Sequence, residues 1–282
     1  MNILIIGSKG QLGRCLNDQL TNTDHEVIYT SREQIDIADF EVTKSKVLDI
    51  SPDVVINATA YTAVDKAEKD HDKANFINYL AVANIAKICC MIDCWLIHIS
   101  SDYIFDGYSQ IPYKENDIPN PQGVYGETKL KGEMAIQSSG CKFLILRTAW
   151  VFSEYGNNFL KTMLRLGQEH DELSIVGDQI GCPTYAQDIA NVIVKILPRL
   201  TSQKNSGVYH FCGHLPCSWY DFANAIFDQA KIRNLKIPSK IHSIETSAYP
   251  LEAKRPAFSV LDCSKIVEEF EVFSSNWILG IN

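Results

Sequence analysis

Tyr125 and Lys129 stand one helical turn apart in the segment NPQGVYGETKLKGE, residues 120–133. A free phenol titrates near 10, too high for easy proton exchange at neutral pH. An ammonium four residues further on shares its helix face, stabilises the phenolate and brings that value down. Ser100 and Ser101, in SSDYIFDG (100–107), could add a hydroxyl that holds a substrate oxygen in line with the phenol. Such a set suits proton transfer to or from an oxygen while hydride moves at the carbon that bears it. The spacing alone carries no weight, because a chain with 12 tyrosines and abundant lysine produces such a pair by chance. The plain alternative is a solvated contact contributing a few tenths of a kcal/mol.

Position gives the pair its weight. NILIIG (2–7), EVIYT (26–30), DVVINAT (53–59), WLIHIS (95–100) and KFLILRTAW (142–150) read as strands. Helical patterns at 11–20, 41–50, 72–92 and 125–139 lie between them. Continuous rather than alternating apolar runs mark strands covered on both faces, so the expectation is an α/β fold, a Rossmann-type doubly wound parallel sheet. Ligands of such sheets gather at the carboxyl ends of the strands, where Ser101 and Asp102 follow strand four. Beyond residue 150 the order loosens, with helices near 157–168, 185–197 and 218–230 among proline-bearing loops. We expect a nucleotide-binding domain over 1–150 and a smaller α/β substrate-binding part over 151–282. Segments near 185–212 are expected to return to the first domain's core, and no Gly/Ser-rich linker separates the halves.

GSKGQLG (7–13) sits between the first strand and the first helix. Glycines there let the backbone approach a phosphate, and the helix start offers free N–H groups and a positive dipole end. The spacing is G-x-x-G-x-x-G rather than the common dinucleotide fingerprint, and a tight turn without a ligand is the alternative. After the second strand the chain reads YTSREQIDIAD, with Arg32 where NAD-binding chains place an acid. An arginine accommodates the extra phosphate of NADP, which tilts the cofactor that way.

The bulk numbers bound the rest. A net charge of −8 argues against nucleic acid as a partner, and 46% hydrophobic residues allow a sizeable core. No run suggests a signal peptide, and none is expected to span a membrane. Nine irregularly spaced cysteines fit a reducing cytoplasm better than a disulfide framework. His210, Cys212, His214 and Cys217 lack the paired geometry of structural zinc sites, and Cys89, Cys90 and Cys94 read as core thiols.

At this point the chain resembles the extended short-chain dehydrogenase/reductases, and within them the dTDP-4-dehydrorhamnose reductases. The resemblance is carried by VVINATAYTAVDKAE, SSDYIFDG, PYKENDIPNPQGVYGETKLKGE, LRTAWVFSEYGNNFLKTMLRL, IVGDQIGCPTYAQDIA, GVYHFCGHLPCSWYDFANAIF and AKRPAFSVLDCSKI, nearly the whole chain. It implies reduction of the C4 keto group of dTDP-4-dehydro-β-L-rhamnose by NADPH or NADH, with Tyr125 as general acid. Lys129 would hold the nicotinamide ribose and lower the Tyr125 pKa, and Ser101 would supply the hydroxyl where relatives often carry Thr. Gly7, Gly10, Gln11, Leu12 and Gly13 would cradle the pyrophosphate, with Arg32, Asp36 and Ile37 toward the adenosine. Ala58, Thr59, Ala60 and Tyr61 would border the ribose and nicotinamide. Asp102, Trp150 and Arg255 would meet the substrate, Arg255 at its diphosphate; Ser101 and Asp102 as turn caps and Trp150 as core remain the alternatives. Some family members use Mg²⁺, which stays an open alternative for this chain with no ligands assigned. A cytoplasmic monomer or homodimer is implied. A different 4-keto-deoxysugar nucleotide as substrate, or a non-catalytic regulatory subunit of the same fold, are the competing readings.

Overall fold

In the computed structural model, which describes residues 1–200 and 203–281, the apolar runs of the first half form β1 (Asn2–Ile6), β2 (Glu26–Thr30), β3 (Val54–Asn57), β4 (Trp95–Ser101) and β5 (Lys142–Thr148). Between them run α1 (Gln11–Leu20), α2 (Phe40–Ile50), the single turn α3 (Val64–Ala67), α4 (His71–Asn75), α5 (Ala81–Met91) and α6 (Val124–Ser138). A π-turn at Phe76–Leu80 joins α4 to α5 in one continuous helix. The second half carries β6 (Val151–Phe152), α7 (Phe159–Glu169), β7 (Glu172–Val176), β8 (Ile180–Gly181), β9 (Thr184–Tyr185) and α8 (Ala186–Ile196). It continues with β10 (Gly207–His210), β11 (Cys217–Ser218), α9 (Trp219–Ile232), β12 (Lys240–Ile244) and α10 (Ser264–Phe270).

The main sheet is parallel throughout, in the order β10-β5-β4-β3-β1-β2. Its order reverses between β1 and β3, which places a ligand crevice at their carboxyl ends. Ile3 to Ile6 and Val54 to Ile56 are fully buried, as unbroken apolar strands must be when helices cover both faces. On one face Leu12, Cys15 and Leu16 of α1 pack with Ile189, Ile193 and Ile196 of α8. On the other, Val82, Ile85 and Cys89 of α5 meet Val47 of α2 and Ile136 of α6. The edge strand β10 comes from the second half and pairs with β5 from Gly207↔Leu144 to His210↔Arg147. Elsewhere in that half β7 pairs with β12, and Phe152, Phe159, Trp219, Phe222 and Trp277 form an aromatic core.

The helix His71–Met91 is long and apolar enough by length and composition to cross a bilayer, a test that a buried core helix also passes. Here its apolar residues Ala81, Val82, Ile85, Ala86 and Cys89 are spent against the sheet. The fifth strand ends at Thr148 rather than 150, because Trp150 takes φ 45° and turns the chain out of the sheet.

Candidate active site

The glycine turn closes tightly around its own backbone. Gly7 has φ 91°, and a side chain on Gly13 would sit 2.3 Å from the Gly7 carbonyl oxygen. Gly10 is the N-cap of α1 and brings no side-chain cap, so the first-turn N–H groups of Gln11, Leu12 and Gly13 have no acceptor within their helix. That is the donor set an anion needs at a helix start. Thr59 and Ala58 lie directly over the turn, since a Cβ on Gly7 would meet Thr59 Cγ2 at 2.7 Å and the Ala58 carbonyl carbon at 3.2 Å. The Gln11 side chain turns away from the turn: its oxygen accepts from Ser153 (3.0 Å) and Asn158 (2.8 Å), tying the two halves together.

At the end of β2, Arg32 Nε donates to Asp36 across 3.1 Å, and Lys9 of the glycine turn pairs with Glu33 at 3.0 Å. The Ser31 hydroxyl, foremost, together with Lys9 holds the Glu33 carboxylate down at about 2. Ile37 is buried beside them. Tyr61 donates its N–H to Asn78 Oδ1 and its hydroxyl to Asp70, while Ala60 stays exposed.

Helix α6 carries the Tyr/Lys pair and is pressed close to its neighbours. A Cβ on Gly126 would fall 2.1 Å from the Tyr103 carbonyl oxygen, and one on Gly132 2.2 Å from that of Asn78. Its N-cap, Gly123, offers no side chain; Glu68 instead accepts from the Val124 N–H at 2.9 Å, a carboxylate at the positive end of the helix. The half-buried Tyr125 ring meets Tyr103 edge-on at 5.5 Å. Burial pushes its phenol well above the usual value, the Ser101 hydroxyl pulls it back, and Asp102 and Tyr103 push further up.

Ser101 ends β4 with its hydroxyl donating to Asp102 Oδ1 at 3.0 Å and accepting from the Tyr103 N–H at 3.2 Å. Asp102 is buried, and burial raises its carboxyl to about 6 against the Ser101 hydroxyl from which it accepts. Its Oδ2 has no partner, nor do Ser259 Oγ, Thr148 Oγ1 and Arg255 Nε, all buried. Arg255 itself is anchored, donating to Asp65 at 2.7 Å and to the Tyr103 hydroxyl at 3.2 Å. Trp150 stacks at 3.5 Å on Trp219, with its indole edge against Gly181.

Lys129 departs from the expected geometry. It is fully buried, and its amine turns to β4, donating to the Ile99 carbonyl at 2.6 Å and facing His98 Nε2 at 3.2 Å. Burial lowers it to about 8, with Glu133 opposing. The groups acting on the Tyr125 phenol here are therefore Ser101, Asp102 and Tyr103 rather than Lys129. A buried ammonium takes the nearest carbonyl before it shares a helix face with a neutral phenol.

Behind it runs a buried polar row that sequence reasoning missed. Asn57, His98, Ser100, Arg147 and His210 stand in register on neighbouring strands. Arg147 grips Glu133 of α6 through Nε and Nη2 at 2.7 to 3.2 Å, and its Nη1 reaches the Glu115 carbonyl and His210 Nε2 at 3.3 Å. A titratable residue inside each apolar run, His98 in WLIHIS, Arg147 in LILRT and His210 in VYH, was the available signal. Of the residues first read for zinc, His210 belongs to this row and Cys212 lies 3.7 Å from Cys263. Among the described residues, no group of three or more His, Cys, Asp or Glu side chains is placed to hold a metal ion.

The RmlD substrate binding domain family matches residues 1–282, the full length. A dTDP-4-dehydrorhamnose reductase of Aggregatibacter actinomycetemcomitans is 43% identical over 98% of this chain and 95% of its own. The chain belongs to the dTDP-4-dehydrorhamnose reductase family. A dTDP-4-dehydrorhamnose reductase crystal structure from Clostridium acetobutylicum superposes with a TM-score of 0.92 at 39% identity, covering 100% of this chain and 97% of that one. That of the Bacillus anthracis reductase, in complex with NADP, gives 0.92 at 33% identity, over 99% and 96% of the two chains. The glycine turn follows β1, beside the point where the strand order reverses, and Ser101 closes β4 two strands away.

Proposed function

We propose that this chain reduces the C4 keto group of dTDP-4-dehydro-β-L-rhamnose to give dTDP-L-rhamnose, with NADPH or NADH as hydride donor. The observation that carries the reading is the place of Tyr125, in the first turn of α6, edge-on to Tyr103 and close to the Ser101 hydroxyl that ends β4, where burial pushes its phenol up. The glycine turn fits a dinucleotide: a Cβ on Gly13 would fill it, and the N–H groups of Gln11, Leu12 and Gly13 suit a pyrophosphate. The bound nicotinamide supplies hydride to C4. Tyr125 delivers the proton to the C4 oxygen while the Ser101 hydroxyl holds that oxygen in line. Lys129, whose amine here faces the Ile99 carbonyl and His98, would turn to the ribose; Ala58 to Tyr61 would wall the nicotinamide side, and Asp36 and Ile37 the adenine. Arg32, although paired with Asp36, is the cation available to a 2′-phosphate.

The unpartnered Asp102 Oδ2 and Ser259 Oγ suit sugar hydroxyls, because a buried oxygen without a partner costs stability that a ligand recovers. Arg255 keeps Asp65 as an anchor and has its Nε left for the diphosphate. Trp150 would form the wall beyond them. The test is NADPH oxidation at 340 nm with dTDP-4-dehydrorhamnose generated in place, run with both cofactors and with and without EDTA. Oxidation with another 4-keto-sugar nucleotide but not this one refutes the substrate; loss of rate with EDTA reveals a magnesium requirement. Tyr125→Phe should bind NADPH as the parent does and lose most turnover; unchanged turnover removes Tyr125 from the reaction.

A further inference from the structure

We propose that His98 is a positioning residue for this reaction: by presenting an Nε2–H to Lys129 it sets how firmly that amine holds its proton when cofactor binds. The inference rests on the nicotinamide-cofactor reading above. It follows from an inventory of donors and acceptors. The Thr59 N–H and hydroxyl both donate to one oxygen of the Asn57 side chain, at 3.1 and 2.6 Å. That atom is therefore the amide carbonyl, and the amide NH₂ faces His98 Nδ1 at 3.2 Å. An NH₂ only donates, so Nδ1 accepts and carries no proton. His98 is fully buried, and burial with the Lys129 charge beside it keeps the ring neutral. Its one proton is then on Nε2, and Nε2 points at Lys129 Nζ, 3.2 Å away.

An ammonium has three donors and no lone pair, so it meets this N–H as donor against donor. A neutral amine accepts from Nε2–H and still donates to the Ile99 carbonyl. His98 thus favours the amine. Glu133, one turn further along α6, favours the ammonium, with Arg147 of β5 partly neutralising it. Among the described residues, Glu133 is the charged group that acts on Lys129 and Lys129 the one that acts on His98, while Tyr125 stands on the same helix. A nucleotide brings negative charge and ribose oxygens that only the protonated side chain serves fully, so binding tightens where Lys129 is charged.

His210 supplies an internal contrast. Its Nδ1 faces the Tyr113 carbonyl, an acceptor, and its Nε2 faces Arg147, a donor, so its proton is on Nδ1. Long-range ¹H–¹⁵N spectra of the imidazole nitrogens in the cofactor-free chain at neutral pH read both directly. Signals are assigned by their loss in His98→Gln, or in His98→Asn should the first variant not fold. The expected result is two neutral histidines of opposite tautomer, His98 protonated on Nε2; a His98 proton on Nδ1, or an imidazolium, overturns the inference.

The second measurement is the NADPH dissociation constant against pH, by fluorescence, in Tyr125→Phe, where the phenol no longer titrates. Binding should weaken as pH rises through the Lys129 titration. Adding His98→Gln, whose amide can turn its carbonyl to the ammonium, should move that onset upward by about one pH unit. An onset that stays in place overturns this inference alone. No NADPH binding by the parent at any pH overturns the proposed function as well.

Discussion

Replacing Glu133 by Ala tests how α6, the helix of Tyr125 and Lys129, is held. Its carboxylate and the Arg147 guanidinium are 0% and 4% exposed, and contacts of 3.0, 3.2 and 2.7 Å join them. Without Glu133 the buried guanidinium keeps the Glu115 carbonyl and the His210 ring nitrogen, each at 3.3 Å, and the face of Phe105, none of which carries a negative charge. Breaking one side of a buried pair costs about 3–5 kcal/mol, because a charge is left uncompensated out of water. We expect about 4 kcal/mol, close to a thousandfold in the folding constant. Urea denaturation followed by tryptophan fluorescence measures it. The double variant Glu133→Leu with Arg147→Met leaves no buried charge and should lose much less than the sum of the two singles. A Glu133→Ala cost below about 1 kcal/mol, the level of an exposed pair, would refute the reasoning. Glu133→Gln has a second consequence: it removes the carboxylate that raises Lys129, so the amine should fall further below 8. The onset of weakened NADPH binding should then move down in pH, opposite to His98→Gln.

Other outcomes follow from the same geometry. Gly132→Ala places a methyl 2.2 Å from the Asn78 carbonyl oxygen, so α6 must shift; thermal melting should show a loss of several kcal/mol, and NADPH binding should weaken with it. Glu68→Ala removes the side-chain acceptor at the Val124 N–H, at the start of α6, and should cost about 1–2 kcal/mol by urea titration, whereas Glu68→Asp should restore part of it. Burial holds His210 at about 3, below its unfolded value near 6.5, so between these pH values the unfolded chain binds the extra proton. Stability from this group is therefore present above about 6.5 and is lost as pH falls toward 3; His210→Gln should flatten the acid side of the urea-midpoint profile. Asp102, raised to about 6, acts in the opposite sense, losing stability as pH rises from about 4 to 6. Asp102→Asn should remove that loss.

The parallel sheet is legible in the chain because its strands are buried on both faces and therefore read as unbroken apolar runs, such as Ile3–Ile6 and Val54–Ile56. The glycine turn and the Tyr125/Lys129 helix are legible through spacing joined to position. The direction of Lys129 is not, because it depends on which carbonyl lies within reach once α6 packs on β4, and no local pattern encodes that. The link from Gln11 to Ser153 and Asn158 spans more than 140 positions, and Glu68 caps a helix 56 positions away. Such contacts are set by tertiary packing, which periodicity does not report. The polar row was hidden for a related reason: one histidine in an apolar strand looks like an isolated exception until neighbouring strands are in register.

The pairing of β10 with β5 and the packing of α8 on α1 bear on how this protein is made. Chains emerge from the ribosome from the N-terminus at about 5–20 residues per second. Residues 1–148 contain five of the six strands of the sheet, yet its β5 edge has no partner and its α1 face no cover until residues 186–210 follow. For several seconds of synthesis the nascent chain shows an open strand edge and the apolar surface of Leu12, Cys15 and Leu16 that Ile189 and Ile193 later cover. Chaperone dependence should therefore track slow codons placed between 149 and 210 more than those placed elsewhere, a prediction for pulse-labelled synthesis with synonymous genes.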